Sequence, residues 1–310
     1  MLNQKTMKNT HSIFLFIIII LISSCNSNIG KEYKLFYLGG QSNMDGYGYV
    51  SDLPGDLSGT FENVWIFHGN SMPDDTVIGG EGIWALLRPG HGVGFRSDGL
   101  SNTYSGRFGV EISFAAKMKE LYPDSHIAIL KYSKGGTSID EEAARNFGSW
   151  DPDYKDRNGI NQYDHFLATV KNALTIKDID GDGQNDKLIP SGIIWMQGES
   201  DADVTEEIAQ RYYMNMVELM KLIRQAFGDQ DLPVVIGRIS DSGNDPSGLV
   251  WEHGEIVRNA QHRFSDEDPH AAIVTSTDTY QYSDPWHYDS KGFIDLGARF
   301  AVSLDSLKKK

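Results

Sequence analysis

From Gly109 onward the chain alternates between short apolar runs and longer stretches in which apolar residues recur every three or four positions. Runs rich in Ile and Val predict buried strands, and the helical recurrence predicts amphipathic helices. Strands are expected at His126–Tyr132, Gly192–Met196, Pro233–Ile239 and Ala272–Ser276. Helices are expected at Val110–Leu121, Tyr163–Leu174, Val204–Phe227 (closed by Gly228), Val250–Phe264 and Phe293–Leu307. Two more strands, Lys34–Leu38 and Asn63–Phe67, precede this region. Residues 45–105 are otherwise rich in Gly, Ser, Asp and Pro, and a long irregular stretch of that kind belongs to functional surface more often than to a linker. Strands alternating with helices imply a parallel sheet covered on both faces, a three-layer α/β/α sandwich. No internal repeat interrupts it, so residues 33–310 read as a single domain.

The N-terminus follows a different pattern. Lys5 and Lys8 precede an unbroken apolar run, Ile13 to Ile22. The run is too short to span a bilayer, for which about 20 residues are needed, but it suits the core of a signal peptide. It ends in Leu-Ile-Ser-Ser-Cys, and residues 1–25 resemble a bacterial lipoprotein signal in which Cys25 is lipidated. That resemblance implies a polar tether over residues 26–32 and a location on the bacterial cell envelope, at the outer membrane, with the lipid as the only membrane attachment; the alternative is a secreted protein. Cys25 is the only cysteine, which excludes an internal disulfide and a cysteine-rich metal site. The formal net charge is −15, and there is no basic stripe with interleaved aromatics, so nucleic acid is not an expected partner.

In parallel α/β sheets reactive groups gather beyond the carboxyl ends of the strands. Four groups fall there. Ser42 follows the first strand in Gly-Gly-Gln-Ser-Asn-Met, where a Gly-Gly turn can expose a hydroxyl beside free backbone N–H groups. It does not fit a Gly-x-Ser-x-Gly elbow, since Met44 stands at the second glycine, and no phosphate-binding loop is present. Asp284-Pro-Trp-His287 follows the last strand, with an acid three residues before an imidazole that could serve as a base. Gly135-Gly136-Thr137 and Gln197-Gly198-Glu199-Ser200-Asp201 follow two middle strands and offer neutral donors suited to an oxyanion.

Together these segments resemble the SGNH (GDSL-like) hydrolase superfamily, and within it the carbohydrate esterase and sialate O-acetylesterase group, over Tyr37 to about Ala301. The resemblance implies a flavodoxin-like fold and a serine esterase that removes acetyl groups from carbohydrates such as sialic acid or xylan. It implies Ser42 as nucleophile, His287 as base and then acid, and Asp284 as the imidazole's partner. The oxyanion hole would be the Ser42 N–H, the Gly135 N–H and the Gln197 side chain. No catalytic cofactor is implied. The subgroup's Gln-Gly-Glu leaves open whether Gln197 or Glu199 points at substrate, and Glu199 is an alternative acid for His287. Two other readings are an inactive glycan-binding lipoprotein and a lipase or thioesterase of the same superfamily.

Residues 178–186 (DIDGDGQND) carry acids at positions 1, 3, 5 and 9 of a calcium-loop template, with glycine at 6. A structural calcium on Asp178, Asp180, Asp182 and Asp186 is one expectation. An acidic surface turn is the other, because Ile189 replaces the template's closing glutamate. Of Trp65, Trp84, Trp150, Trp251 and Trp286, the last is the one expected beside substrate.

Overall fold

A computed structural model describes residues 30–155 and 159–309. The signal segment, Cys25 and most of the tether lie outside these residues. A seven-stranded sheet runs through the molecule. Its strands are β1 (Glu32–Gly40), β2 (Val64–His68), β3 (Trp84–Leu86), β4 (His126–Ser133), β5 (Lys187–Met196), β6 (Val234–Gly237) and β7 (Ala271–Val274). They lie in the order β7-β6-β5-β1-β4-β2-β3. All neighbours are parallel except β3, which pairs antiparallel with β2 at one edge. The chain belongs to the three-layer α/β class that its alternation predicts.

The helices are α1 (Ser42–Asp45), α2 (Glu111–Leu121), α3 (Gln162–Thr175), α4 (Glu206–Ala226), α5 (Gly254–Glu267) and α6 (Ser290–Lys308). Successive side chains of a strand point to opposite faces, and β1 shows the consequence. Phe36 meets Phe114 of α2 and lies under Lys308 of α6, whereas Tyr37 packs on Phe166 of α3 and on Phe227 just after α4. Both faces of the central strand are therefore buried, and β1 reads as a continuous apolar run. Among the described residues no helix is long and apolar enough to cross a membrane.

Several boundaries differ from the sequence pattern, and three of the differences have a clear local reason. Strand β5 begins at Lys187 rather than Gly192, because its pairing with β1 continues through Pro190 and a one-residue slip that leaves Ser191 out of register. Helix α4 starts at Glu206 because Thr205 caps it, its hydroxyl accepting from Ile208 N. Helix α5 starts at Gly254 rather than Val250, since the Asp241 carboxylate accepts the N–H groups of Val250 and Trp251 and holds them in a turn.

Candidate active site

Strand β1 reaches the central position of the sheet and ends in Gly39-Gly40. Gly40 has φ +143°, and a Cβ there would lie 1.9 Å from the Met196 carbonyl oxygen, so only glycine lets β1 close against the end of β5. The chain then turns: Gln41 N donates to Met196 O, and Gln41 O accepts from Met44 N and Asp45 N at 2.8 Å each. This sets Ser42 at the first position of the one-turn helix α1, where a backbone N–H has no intrahelical partner. Neither that N–H nor the Ser42 hydroxyl has a partner among the described residues. The turn is fastened below by Lys131, fully buried on β4, which donates to Asp45 O, His91 O and Glu111 Oε2 at 2.8–2.9 Å. Breaking a buried pair of this kind costs about 3–5 kcal/mol.

His287 lies between β7 and α6. Asp284 shapes its loop: Oδ1 accepts from Trp286 N and His287 N, and Oδ2 sits 2.7 Å from His287 Nδ1. A carboxylate can only accept, so Nδ1 carries the imidazole proton and Nε2 keeps its lone pair. Burial pushes the His287 imidazole below its ordinary range, more than the Asp284 carboxylate raises it. Burial works against the charged Asp284 too, but the bonds from His287 and the two N–H groups outweigh it and hold the carboxyl below its usual value. A neutral imidazole thus faces an ionised acid at neutral pH. Tyr47 stacks flat on the imidazole, with ring centroids 3.4 Å apart and planes within 6°.

Ser42 and His287 line one cleft of about 560 Å³, together with Gln41, Gly135, Trp251 and Trp286. Trp286 is half exposed, as expected of a residue beside substrate. Trp84 and Trp150 are instead core residues, and Trp65 packs against the core.

Gly135 packs directly on Ser42, but its N–H donates to Asp45 Oδ2 at 2.8 Å. Gln197, expected at the oxyanion, is instead fully buried and absent from the cleft wall. Its Nε2 donates to Asp201 Oδ2 at 2.6 Å and its second hydrogen faces Thr137 O at 3.2 Å and Gln41 Oε1 at 3.3 Å, while its Oε1 accepts from Tyr212 OH. An amide held this way has no donor to aim at substrate. Glu199 likewise does not reach His287; it is buried, with Oε1 accepting from Asn43 Nδ2 at 2.8 Å.

Three residues not foreseen as functional complete the arrangement. Gln41, beside the nucleophile, has Oε1 held by Gln197 Nε2, Gly198 N and Ser200 N. That fixes the orientation of its amide and leaves Nε2 without a partner among the described residues, on a side chain that lines the cleft. Asn43 donates to Trp286 O and accepts from Tyr288 N, strapping the loop on either side of His287 to the nucleophile turn. Tyr47 supplies the stacked ring. Their signal was the polar run Gln41-Ser42-Asn43, whose two amides flank the serine and read as turn residues.

The acidic loop gathers oxygens of Asp178, Asp180 and Asp186 within 4.8 Å of one another. Lys31 joins it, forming ion pairs with Asp180 and, at 2.6 Å, with Asp182. Both Asp186 oxygens accept backbone N–H groups, from Lys31 and Ile179. Two of the loop's carboxylates, Asp180 and Asp182, are thus paired with the Lys31 ammonium, while Asp178, Asp180 and Asp186 are close enough together to share a cation.

The model of one protein family, described as carbohydrate esterase, sialic acid-specific acetylesterase, matches residues 32–306. No protein of curated function matches the chain by sequence. Among solved structures it is similar to an Arabidopsis thaliana protein, at 18% identity and a TM-score of 0.59, covering 88% of this chain and 98% of that one. It is similar to a carbohydrate acetylesterase from Xanthomonas citri at 19% identity and TM-score 0.59, covering 88% of this chain and 56% of that one. NanS matches at 14% identity and TM-score 0.57, over 91% and 99% of the two chains. At these identities the likenesses show the fold.

Proposed function

The chain belongs to the carbohydrate esterase, sialic acid-specific acetylesterase family, and on that premise we propose that it removes O-acetyl groups from carbohydrates by acyl transfer through Ser42. The observation that carries this reading is the 2.7 Å contact of His287 Nδ1 with Asp284 Oδ2, in the cleft that Ser42 also lines. His287 Nε2 takes the Ser42 proton as Oγ attacks the acetyl carbonyl carbon, and Asp284 stabilises the imidazolium. The tetrahedral oxyanion accepts from the Ser42 N–H and from Gln41 Nε2. The imidazolium then gives its proton to the departing sugar oxygen, leaving acetyl-Ser42. Water attacks that ester with His287 again as base, and acetate leaves as Ser42 regains its proton.

Asp45 sits at the edge of this hole. Burial raises its carboxyl above the ordinary value, against the pull of Ser133, and its hold on Gly135 N keeps that third donor from the oxyanion. The N-terminal pattern supports the further reading that Cys25 is lipidated and ties the enzyme to the bacterial cell envelope.

Acetate release from a panel of acetylated sugars tests the reading. Turnover of acetylated sugars and of p-nitrophenyl acetate, without turnover of long-chain esters, is the expected result. Preference for long-chain esters would make the protein a lipase or thioesterase, and no turnover of any ester would make it a binding protein.

A further inference from the structure

A second cleft, of about 610 Å³, abuts the catalytic one and shares Asp45, Val93 and Lys134 with it. Its volume lies in the range of small-molecule sites, and its wall mixes apolar groups such as Val93 and Phe95 with polar side chains. One wall residue is His68, at the end of β2, only 7% exposed and stacked on Phe95 with planes 4° apart. His68 Nδ1 lies 3.3 Å from Nδ1 of His91, which is fully buried. Burial, with the Lys131 ammonium nearby, holds both imidazoles well below their ordinary range, so both are neutral.

The protons of this pair can be assigned. A bond between two Nδ1 atoms needs one N–H and one lone pair. His91 Nε2 is buried with no partner among the described residues. A bare lone pair is tolerated there better than a bare N–H, so His91 carries its proton on Nδ1 and donates it to His68. His68 then carries its own proton on Nε2, an atom with no partner among the described residues on a side chain that lines the cleft. The side chains of Asn70 and Lys134, also on this wall, make no hydrogen bond or ion pair among the described residues.

We propose that this second cleft is a subsite for a neighbouring sugar ring, so that the enzyme takes its acetylated sugar as part of a glycan chain. The donors His68 Nε2–H, the Asn70 amide and the Lys134 ammonium meet ring hydroxyl oxygens, which are neutral acceptors. The shared wall at Asp45 and Lys134 lets one chain cross from this cleft to Ser42. The proposal rests on the esterase reading of the catalytic cleft.

The test compares an acetylated monosaccharide, an acetylated disaccharide of the same sugar, and p-nitrophenyl acetate, with wild type, Asn70→Ala and His68→Phe. Wild type should favour the disaccharide in kcat/KM by about tenfold or more, the size expected of a few added hydrogen bonds. Both variants should lose that preference through a higher KM while hydrolysing p-nitrophenyl acetate at the wild-type rate. Asn70→Ala alone decides the matter if His68→Phe fails to fold. Equal wild-type kcat/KM on the two sugars, or a disaccharide preference that survives Asn70→Ala, would overturn the subsite and leave the esterase reading intact. Turnover of p-nitrophenyl acetate but of neither sugar would overturn the carbohydrate reading of the catalytic cleft, and the subsite with it, while leaving an esterase.

Discussion

Asn43 Nδ2 lies 2.8 Å from Glu199 Oε1, so the residue after the nucleophile is held by a buried acid that does not touch His287. The second Glu199 oxygen is buried without a partner among the described residues, and burial raises the carboxyl above its ordinary value. Glu199 thus acts through Asn43, which in turn holds the backbone on either side of His287.

This predicts different outcomes for two changes at Glu199. Glu199→Gln keeps an oxygen for Asn43 and resembles the neutral acid, so kcat should stay near wild type. Asn43→Ala and Glu199→Ala should each lower kcat by about 10²-fold with KM for p-nitrophenyl acetate little changed, because misplacing a catalytic group by about 1 Å has that effect. Steady-state kinetics separates the cases. A collapse of activity in Glu199→Gln would make Glu199, rather than Asp284, the acid behind the imidazole.

At the oxyanion, Gln41→Ala should cost about 10²–10³ in kcat, the usual loss for one donor. Gln41→Glu should cost at least as much, since it keeps the size of the side chain but replaces the donor with oxygen. Gln197→Ala should lower the thermal midpoint, because Asp201 loses its amide donor, and reduce kcat less than Gln41→Ala. The reverse order in kcat would return Gln197 to the oxyanion.

Much of this was legible in the sequence. The α/β order could be read because apolar runs and helical recurrence are strong where both faces of a sheet are buried. That Ser42 and His287 share one cleft, with Asp284 against the imidazole, could be expected because each follows a strand, and an acid three residues before a histidine can close a tight loop on Nδ1. Gln197, expected in the cleft wall, is buried behind it instead. Both Gln41 and Gln197 are amides at strand ends, and only the packing shows that Tyr212 and Asp201 claim one of them. The edge strand Trp84–Leu86 went unseen because three residues carry too little periodicity. Lys31, far from the acidic loop in sequence, could not be paired with Asp180 and Asp182 before β1 and the start of β5 were known to be neighbours.

Lys31 places a positive charge against Asp180 and Asp182 of the acidic loop, and the prediction is that this charge does the work of a cation there. A chelator should therefore leave the thermal midpoint of the wild type unchanged. Lys31→Ala should melt lower and regain stability with added calcium, by an amount that grows with calcium concentration over Kd. A midpoint that falls in the wild type under chelator would make calcium a resident ligand of Asp178, Asp180 and Asp186.

The pH profile follows from His287. The base must be neutral, and its folded-state pKa is lowered, so kcat/KM should rise with pH and reach half its plateau below the ordinary imidazole value of about 6.5. Asp284 raises that pKa, so Asp284→Asn should shift the half-point to lower pH as well as lowering the plateau. A half-point above 6.5 in the wild type would contradict the burial-dominated environment of His287.

The central claim is that Ser42 carries the acetyl group. The direct measurement is to quench the wild type in acid during turnover of p-nitrophenyl acetate, digest it, and locate the added acetyl group by tandem mass spectrometry. The acetyl group is expected on Ser42, with no adduct and a kcat lower by several orders of magnitude in Ser42→Ala. An acetyl group on another residue, or a Ser42→Ala protein that keeps about a tenth of the activity, would contradict it.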